Sequence, residues 1–270
     1  MPTLQRIDGI PGPSEVLVAP DLPGIAAGAA ERMAGWSSEA IETRGSAHIA
    51  LTGGSSASAL AAALREPRRQ ASIDWAHTHL WWGDERLVPS DHPDSNFGAA
   101  FRDLLGPDGA PVPPANIHPF PIETAYADGT DADWIAEAYA TELLTTLPHR
   151  DGLPVFDVIL LGMGPDGHVL SVFPGSPALE PDAPIVMAVA APTHIEPHVA
   201  RVTLSPRLLS VAGHVMLMVG GAAKATMVRQ VLTGERDPRR WPAQLTLRDN
   251  ASWLLDAGSA AELSQRRVPT

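Results

Sequence analysis

The chain has 270 residues, of which 44% are hydrophobic and 19% are charged, a composition typical of a globular protein. Its net charge of −12, without any cluster of Lys or Arg, argues against a nucleic-acid-binding surface. The absence of cysteine excludes disulfides and thiolate catalysis. No apolar stretch reaches the roughly 18 residues of a membrane helix, and the N-terminus has no apolar signal core. We therefore expect a cytoplasmic protein without membrane association.

Strand-like and helix-like segments alternate along the chain. The predicted strands are 15–19, 47–51, 79–82, 156–163, 185–190, 200–204, 214–219 and 251–256, and the predicted helices are 22–43, 57–64, 96–105, 131–147 and 223–232. Such alternation predicts βαβ units, and hence an α/β fold whose mainly parallel sheet is flanked by helices on both faces. Prolines cluster in the connections and mark no linker, so residues 1–270 are predicted to form a single domain.

The most informative segment is a buried-type strand that runs into a glycine-rich turn ending on a histidine. Met163 is followed by Gly164, Pro165, Asp166, Gly167 and His168. Glycine allows a ligand to approach the main chain, and ligands of open α/β sheets bind beyond the carboxyl ends of the strands. His168 is therefore a candidate acid or base. A histidine that only caps its own loop fits these residues equally well.

A second glycine turn follows the strand 47–51 and precedes a helix. It reads Gly53-Gly54-Ser55-Ser56, and free backbone N–H groups at a helix N-terminus suit an anion such as phosphate. The spacing is neither that of a Walker loop nor that of a dinucleotide-binding loop. From the residues alone, a structural turn with a serine cap is the more common explanation.

Further charged residues follow predicted strands or lie within them. Arg86, in Gly83-Asp84-Glu85-Arg86, is suited to hold an oxyanion, and Asp84 to hold a sugar hydroxyl or orient a base. Glu85 is expected in a solvated charge cluster. Arg201 lies in a short apolar strand, and the only lysine, Lys224, is placed in the first turn of a helix, where the helix dipole disfavours a cation. An anionic ligand would explain both, whereas surface charges are the plainer alternative.

His77 and His79 could share a strand face, as metal ligands do, but no third ligand follows at a recognisable spacing. We interpret both as structural and predict no metal site.

Five segments together resemble the 6-phosphogluconolactonase family, within the wider glucosamine-6-phosphate isomerase/deaminase superfamily. They are Gly53-Gly54-Ser55, Gly83–Arg86 with Ser95-Asn96-Phe97, Gly162–His168, Arg201–Leu204 and Lys224. The resemblance covers nearly the whole chain and implies a modified Rossmann-like domain with no metal and no cofactor. It also implies a small sugar-phosphate lactone as the substrate, and a monomer or a small homo-oligomer.

The resemblance carries roles onto these positions. His168 is similar to the general base that activates water for attack on 6-phospho-D-glucono-1,5-lactone. Asp84 and Asp166 are implied as sugar-hydroxyl contacts or as orienting groups. The residues implied in substrate and phosphate binding are Gly53, Gly54, Ser55, Ser56, Arg86, Asn96, Gly164, Arg201 and Lys224.

Two alternatives remain at this point. One is a glucosamine-6-phosphate deaminase or isomerase, although that family tends to carry Tyr where this chain has Arg86, and Asn-Glu-Pro where it has Val172-Phe173-Pro174. The other is a catalytically silent sugar-phosphate-binding regulator, against which the presence of His168 argues.

Overall fold

The computed structural model describes residues 4–263, and an eight-stranded sheet forms its centre. The strands are β1 (Gln5–Arg6), β2 (Glu15–Ala19), β3 (Ala47–Leu51), β4 (Thr78–Trp82), β5 (Asp84–Arg86), β6 (Ile117–His118), β7 (His149–Arg150), β8 (Leu153–Pro154), β9 (Val158–Leu161), β10 (Val186–Val189), β11 (Arg201–Leu204), β12 (His214–Val219) and β13 (Ala251–Asp256). The central sheet has the order β1-β2-β13-β12-β9-β3-β4-β6. Only β1 and β2 pair antiparallel in it, which confirms the predicted mainly parallel sheet.

Helices flank this sheet on both faces, as predicted. They are α1 (Leu22–Arg44), α2 (Gly54–Leu64), α3 (Pro67–Gln70), α4 (Asn96–Ala100), α5 (Ile122–Asp128), α6 (Ala132–Thr146) and α7 (Ala225–Thr233). Helix α1 begins where the Asp21 carboxylate accepts the N–H of Gly24 at 2.8 Å, and it ends at Gly45, whose φ of +84° favours glycine. Its apolar side chains, with Ile25 and Met33 fully buried, belong to the core that covers the sheet. Among residues 4–263, no helix has both the length and the apolar character needed to cross a bilayer.

The strand order changes direction between β3 and β9. From β3 the chain proceeds outward through β4 to β6, and from β9 it proceeds the opposite way through β12 to β13. The loops after β3 and β9 therefore diverge, which opens a crevice at the carboxyl ends of these two strands.

Two predicted strands, 185–190 and 200–204, lie outside the central sheet. They form β10 and β11, which pair antiparallel with each other, and β11 also pairs antiparallel with β5. This small sheet forms because the chain continues beyond β4 through Gly83, whose N–H donates to Leu51 of β3 and whose carbonyl accepts from Leu204 of β11, both at 2.8 Å. Gly83 thereby connects the two sheets.

One predicted helix is divided. Of the expected helix 96–105, only α4 is α-helical, and Phe101–Leu105 form a wider π-helical turn.

A row of histidines crosses neighbouring strands towards their amino ends, away from the crevice. The rings of His48 and His79 stack at 4.7 Å, and His79 Nδ1 lies 2.9 Å from His118 Nε2. The Trp81 indole donates to His48 Nδ1 at 3.2 Å, which requires that nitrogen to be unprotonated. Burial, followed by the charges of His79 and His118, lowers the pKa of His48 from 6.5 to about 3.

This shift makes the folded protein sensitive to acid. Between pH 6.5 and about 3 the unfolded chain binds a proton at His48 that the folded chain does not, so stability is lost as the pH falls below 6.5. His48→Asn keeps an oxygen acceptor near Trp81 but cannot be protonated. We expect its free energy of unfolding to fall less steeply between pH 6.5 and pH 5, by up to about 1.4 kcal/mol per pH unit. Urea denaturation of both proteins over this range measures the difference, and equal slopes would contradict it.

Candidate active site

An open cleft of about 280 Å³ lies at the crevice beyond the carboxyl ends of the parallel strands. Eleven of the twelve residues singled out from the sequence line it: Gly53, Gly54, Ser55, Ser56, Asp84, Arg86, Asn96, Gly164, His168, Arg201 and Lys224. The twelfth, Asp166, is hydrogen-bonded to His168. Segments separated by more than a hundred residues in sequence thus meet in one place, where ligands of this fold class bind.

The Gly53-Gly54 turn begins α2 at the edge of the cleft. Gly54 has a φ of +82°, and a Cβ on Gly53 would lie 1.8 Å from Oδ1 of Asn96, so both positions require glycine. The first N–H groups of α2 have no partner within the helix and are suited to an anion. The Ser56 hydroxyl donates to the carbonyl of Met218 at 3.0 Å, and therefore fastens α2 to β12.

Two arginines stand side by side in the small sheet. Arg86 of β5 is the register partner of Arg201 of β11, and Arg201 is only 3% exposed. Arg86 donates to the carbonyl of Asp94 at 2.6 Å and Arg201 to that of Pro197 at 3.2 Å, but the buried Nε of each finds no acceptor among residues 4–263. Burial, and then the charge of Arg86, lowers the pKa of Arg201. A buried cationic donor without an acceptor lowers the stability of the folded protein. The two Nε groups therefore indicate a place where an anion could bind.

Lys224 adds a third positive charge. It ends a 3-10 turn (Ala222–Lys224) that leads directly into α7, so it lies in the first turn of a helical segment, as expected, although that turn is 3-10 and not α-helical. The chain turns more tightly here because Gly221, with a φ of +96°, accepts the N–H of Lys224 at 3.0 Å. The Lys224 ammonium donates to the carbonyl of Met163 at 2.9 Å, and burial lowers its pKa.

Asp166 holds the ring of His168. Its Oδ1 lies 2.5 Å from His168 Nδ1 and also accepts the His168 backbone N–H at 3.2 Å. Burial by itself would raise the pKa of Asp166, but the hydrogen bond and charge of His168 and the hydrogen bond from His194 hold it well below its usual range. An ionised carboxylate only accepts, so Nδ1 of His168 carries the proton. In the neutral ring, Nε2 is then a free base.

The turn that contains Gly164 and Gly167 holds Asp166 and His168 in contact. A Cβ on Gly164 would lie 2.0 Å from His168 Nδ1, so only glycine leaves room for the ring. The N–H of Gly164 donates to the carbonyl of His168 at 2.9 Å, and the N–H of Gly167 to that of Gly164 at 3.1 Å. Both amides are occupied within the turn, so Gly164 shapes the site and its N–H is not free for a ligand.

Asp84 lines the cleft, but its hydrogen bonds are to residues other than His168. It is 5% exposed, and its Oδ2 accepts the Ser171 hydroxyl at 2.6 Å. The amide nitrogen of Asn96 donates to the Asp84 carbonyl at 2.9 Å. Of the two aspartates considered as orienting groups, Asp166 is therefore the one that contacts His168, and Asp84 connects the His168 turn to β5.

The expectation of a solvated Glu85 is wrong. Glu85 is 3% exposed, and its carboxylate accepts the backbone N–H groups of Arg86, Asn96 and Phe97 at 2.6–2.7 Å. Burial raises its pKa to about 6. Glu85 closes the loop 87–95 and places Asn96 in the cleft.

Three residues at or beside the cleft were not predicted from the sequence. Ile195 and Glu196 line the cleft, and His194 bonds Asp166 at 3.0 Å. They belong to the irregular loop 190–200, which carries neither a periodic pattern nor a known motif.

The two histidines interpreted as structural lie outside the cleft. His77 contacts Asp74 at 2.8 Å, and His79 contacts His118. Within the described part of the chain, no group of three or more His, Cys, Asp or Glu side chains is arranged to hold a metal ion.

Comparison with known proteins identifies the family. Residues 20–254 match the family model described as "Glucosamine-6-phosphate isomerases/6-phosphogluconolactonase". The chain belongs to this family. The 6-phosphogluconolactonase of Mycobacterium tuberculosis is 38% identical over 251 residues, which are 93% of this chain and 98% of that protein. The 6-phosphogluconolactonase of Streptomyces coelicolor is 35% identical over 233 residues, which are 86% and 87% of the two chains.

Solved structures of the family have the same fold. The structure of 6-phosphogluconolactonase from Trypanosoma brucei superposes with a TM-score of 0.78 at 30% identity, over 92% of this chain and 98% of that one. These findings confirm the resemblance drawn from the five segments, the α/β fold class and the expectation of an enzyme of this family.

The arginine pair leads to a prediction about anion binding. Arg201→Met removes a desolvated charge beside Arg86, so we expect the free variant to be at least as stable as the parent. The stabilisation by inorganic phosphate should fall by at least half, because a charge-assisted hydrogen bond contributes about 1.5–3 kcal/mol. Thermal unfolding with and without phosphate measures both effects.

The matched control is Arg229→Met, because Arg229 pairs with Glu262 at 2.8 Å on the surface, away from the cleft. It should leave phosphate stabilisation unchanged. If Arg201→Met also left it unchanged, the arginine pair would not be the anion site.

Proposed function

We propose that this protein hydrolyses 6-phospho-D-glucono-1,5-lactone to 6-phosphogluconate, the lactonase step of the oxidative branch of the pentose phosphate pathway. The observation that carries the proposal is a histidine base held by Asp166 beside two arginines with unpaired buried donors. The family relatives that match most of the chain are 6-phosphogluconolactonases, which supports the same substrate. We also propose that residues 1–270 act as one domain, in the cytoplasm, as a monomer or a small homo-oligomer.

His168 is the general base of the proposed reaction. Neutral imidazole takes a proton from water through Nε2 as the water oxygen attacks the lactone carbonyl. The developing imidazolium is stabilised by the ionised Asp166 at Nδ1. The tetrahedral intermediate then collapses, the bond to the ring oxygen breaks, and the imidazolium returns its proton to that oxygen.

Positioning comes from the phosphate. Arg86 and Arg201, with Lys224 and the first turn of α2, hold the phosphate, which places the carbonyl beside His168. The unpaired Nε groups of both arginines give the site fixed donors before the substrate arrives. The N–H groups of Gly164 and Gly167 are occupied in their own turn, so we assign them no role in stabilising the oxyanion.

The test of the function compares two lactones. Freshly prepared 6-phospho-D-glucono-1,5-lactone should be hydrolysed much faster than unphosphorylated gluconolactone, with and without a chelator. Loss of activity on chelation would contradict the metal-independent mechanism. Release of ammonia from glucosamine 6-phosphate, or phosphosugar binding without turnover, would replace the proposal by one of the two alternatives.

His168→Asn should lower kcat for the phosphorylated lactone by about 10²–10⁴-fold, the usual contribution of a positioned general base. Stabilisation by inorganic phosphate should persist, since the arginines remain. The matched control is His77→Asn, at an exposed histidine bonded to Asp74 outside the cleft, which should retain the parental kcat. Equal kcat values for His168→Asn and the parent would overturn the assignment of the base.

Kinetics on two substrates can show whether Arg201 holds the phosphate or stabilises the oxyanion. If Arg201 holds the phosphate, Arg201→Met should raise KM for the phosphorylated lactone by about 10–100-fold, the loss of one charge-assisted hydrogen bond. Hydrolysis of unphosphorylated gluconolactone should stay within about threefold of the parent. An equal loss on both substrates would place Arg201 on the reacting oxygen and contradict a phosphate role.

A further inference from the structure

Asp166 bridges two histidines. Its Oδ1 contacts Nδ1 of His168 at 2.5 Å, and its Oδ2 contacts Nε2 of His194 at 3.0 Å. Because the hydrogen bonds of both histidines hold the pKa of Asp166 low, the carboxylate is ionised and accepts at both oxygens. His194 must therefore carry a proton on Nε2 to make this contact.

The two rings are also held by one aromatic side chain. Phe173 lies 4.7 Å from the His168 ring and 5.7 Å from the His194 ring, which it meets edge-on. Arg201 lies over the same phenyl ring at 5.3 Å. The rings of His194 and His168 thus both pack on Phe173, although the two residues are 26 positions apart in the sequence.

His194 itself does not line the cleft, and its side chain is half exposed. It therefore acts through Asp166 and not on the ligand. The charged or titratable groups around this contact are Asp166, His168, Glu196, Arg201 and Lys224.

We propose that His194 is a positioning residue, which fixes the rotation of the Asp166 carboxylate and thereby the tautomer and direction of His168. The His194 bond at Oδ2 adds to the two bonds at Oδ1, and together they restrict rotation of the carboxylate about its bond to Cβ more than the Oδ1 bonds alone. This inference rests on the proposed role of His168 as the base.

Two variants test the hydrogen bond between His194 and Asp166. His194→Leu removes the donor, and we expect kcat to fall about tenfold, part of the contribution of a positioned base, with KM within twofold. His194→Gln restores a neutral N–H donor, so its kcat at pH 8 should return to within about threefold of the parent.

The matched control is His198→Leu. His198 lies in the same loop but bonds the carbonyl of Pro192 at 2.7 Å, not Asp166. It should keep the parental kcat and KM. If it lost as much activity as His194→Leu, the effect would come from the loop as a whole, and the inference would be overturned.

A second measurement does not depend on turnover. The ¹⁵N shifts of the His168 ring in the free protein should report one tautomer, with the proton on Nδ1, in the parent and in His194→Gln, and a mixture in His194→Leu. If the parent failed to hydrolyse the lactone while this pattern held, the proposed function would fail and the positioning role would stand. If the parent hydrolysed the lactone and His194→Leu changed neither kcat nor tautomer, the positioning role alone would fail.

Discussion

The register of β5 against β11 sets Arg86 directly opposite Arg201, and the rest of the cleft is arranged around these two charges. Like charges repel, and burial removes the water that would screen them, so the pair is unfavourable, and an anion between or beside them would relieve the repulsion. The protein as a whole carries a net charge of −12 and repels an anionic ligand at long range. Arg86, Arg201 and Lys224 place positive charge at the cleft against that overall field.

Gly83 makes this register possible. It continues β4 of the central sheet into β5 of the small sheet, and its two backbone hydrogen bonds join strands of both. A Cβ here would lie 2.7 Å from Cδ2 of Leu170, two residues after His168, so a larger residue at this position would displace the Leu170 side chain. The buried Glu85 then holds the chain beyond β5 by accepting three backbone N–H groups. Contacts of backbone groups therefore set the distance between the arginine pair and the turn that carries His168. Such contacts vary less than contacts between side chains.

The sequence predicted those features that depend on local pattern. The strands Ala47–Leu51, His214–Val219 and Ala251–Asp256 were recognisable because strands buried on both faces are continuous apolar runs. Eleven cleft residues were recognisable because they follow such strands or match family segments. The small antiparallel sheet was not predicted, because residues 84–86 and 201–204 pair across more than a hundred residues without a local signal. The burial of Glu85 and the contact of His194 with Asp166 also depend on long-range packing, which leaves no periodic pattern in the sequence.

Asp84 and Asp166 are among the carboxylates near the arginines, and within residues 4–263 neither forms an ion pair with them. Asp84 and Asp166 act on Arg201 only at a distance, by raising its pKa against the effect of burial. The Oδ2 atom of Asp84 is taken by the Ser171 hydroxyl, and both oxygens of Asp166 are taken by imidazoles. Hydroxyl and imidazole donors thus hold the acids in place, while the guanidinium Nε groups have no acceptor among residues 4–263. If either acid were released from its partner, it could form a salt bridge to an arginine. The hydroxyl and imidazole contacts therefore keep both carboxylates away from the arginines, as the proposed binding of an anion there requires.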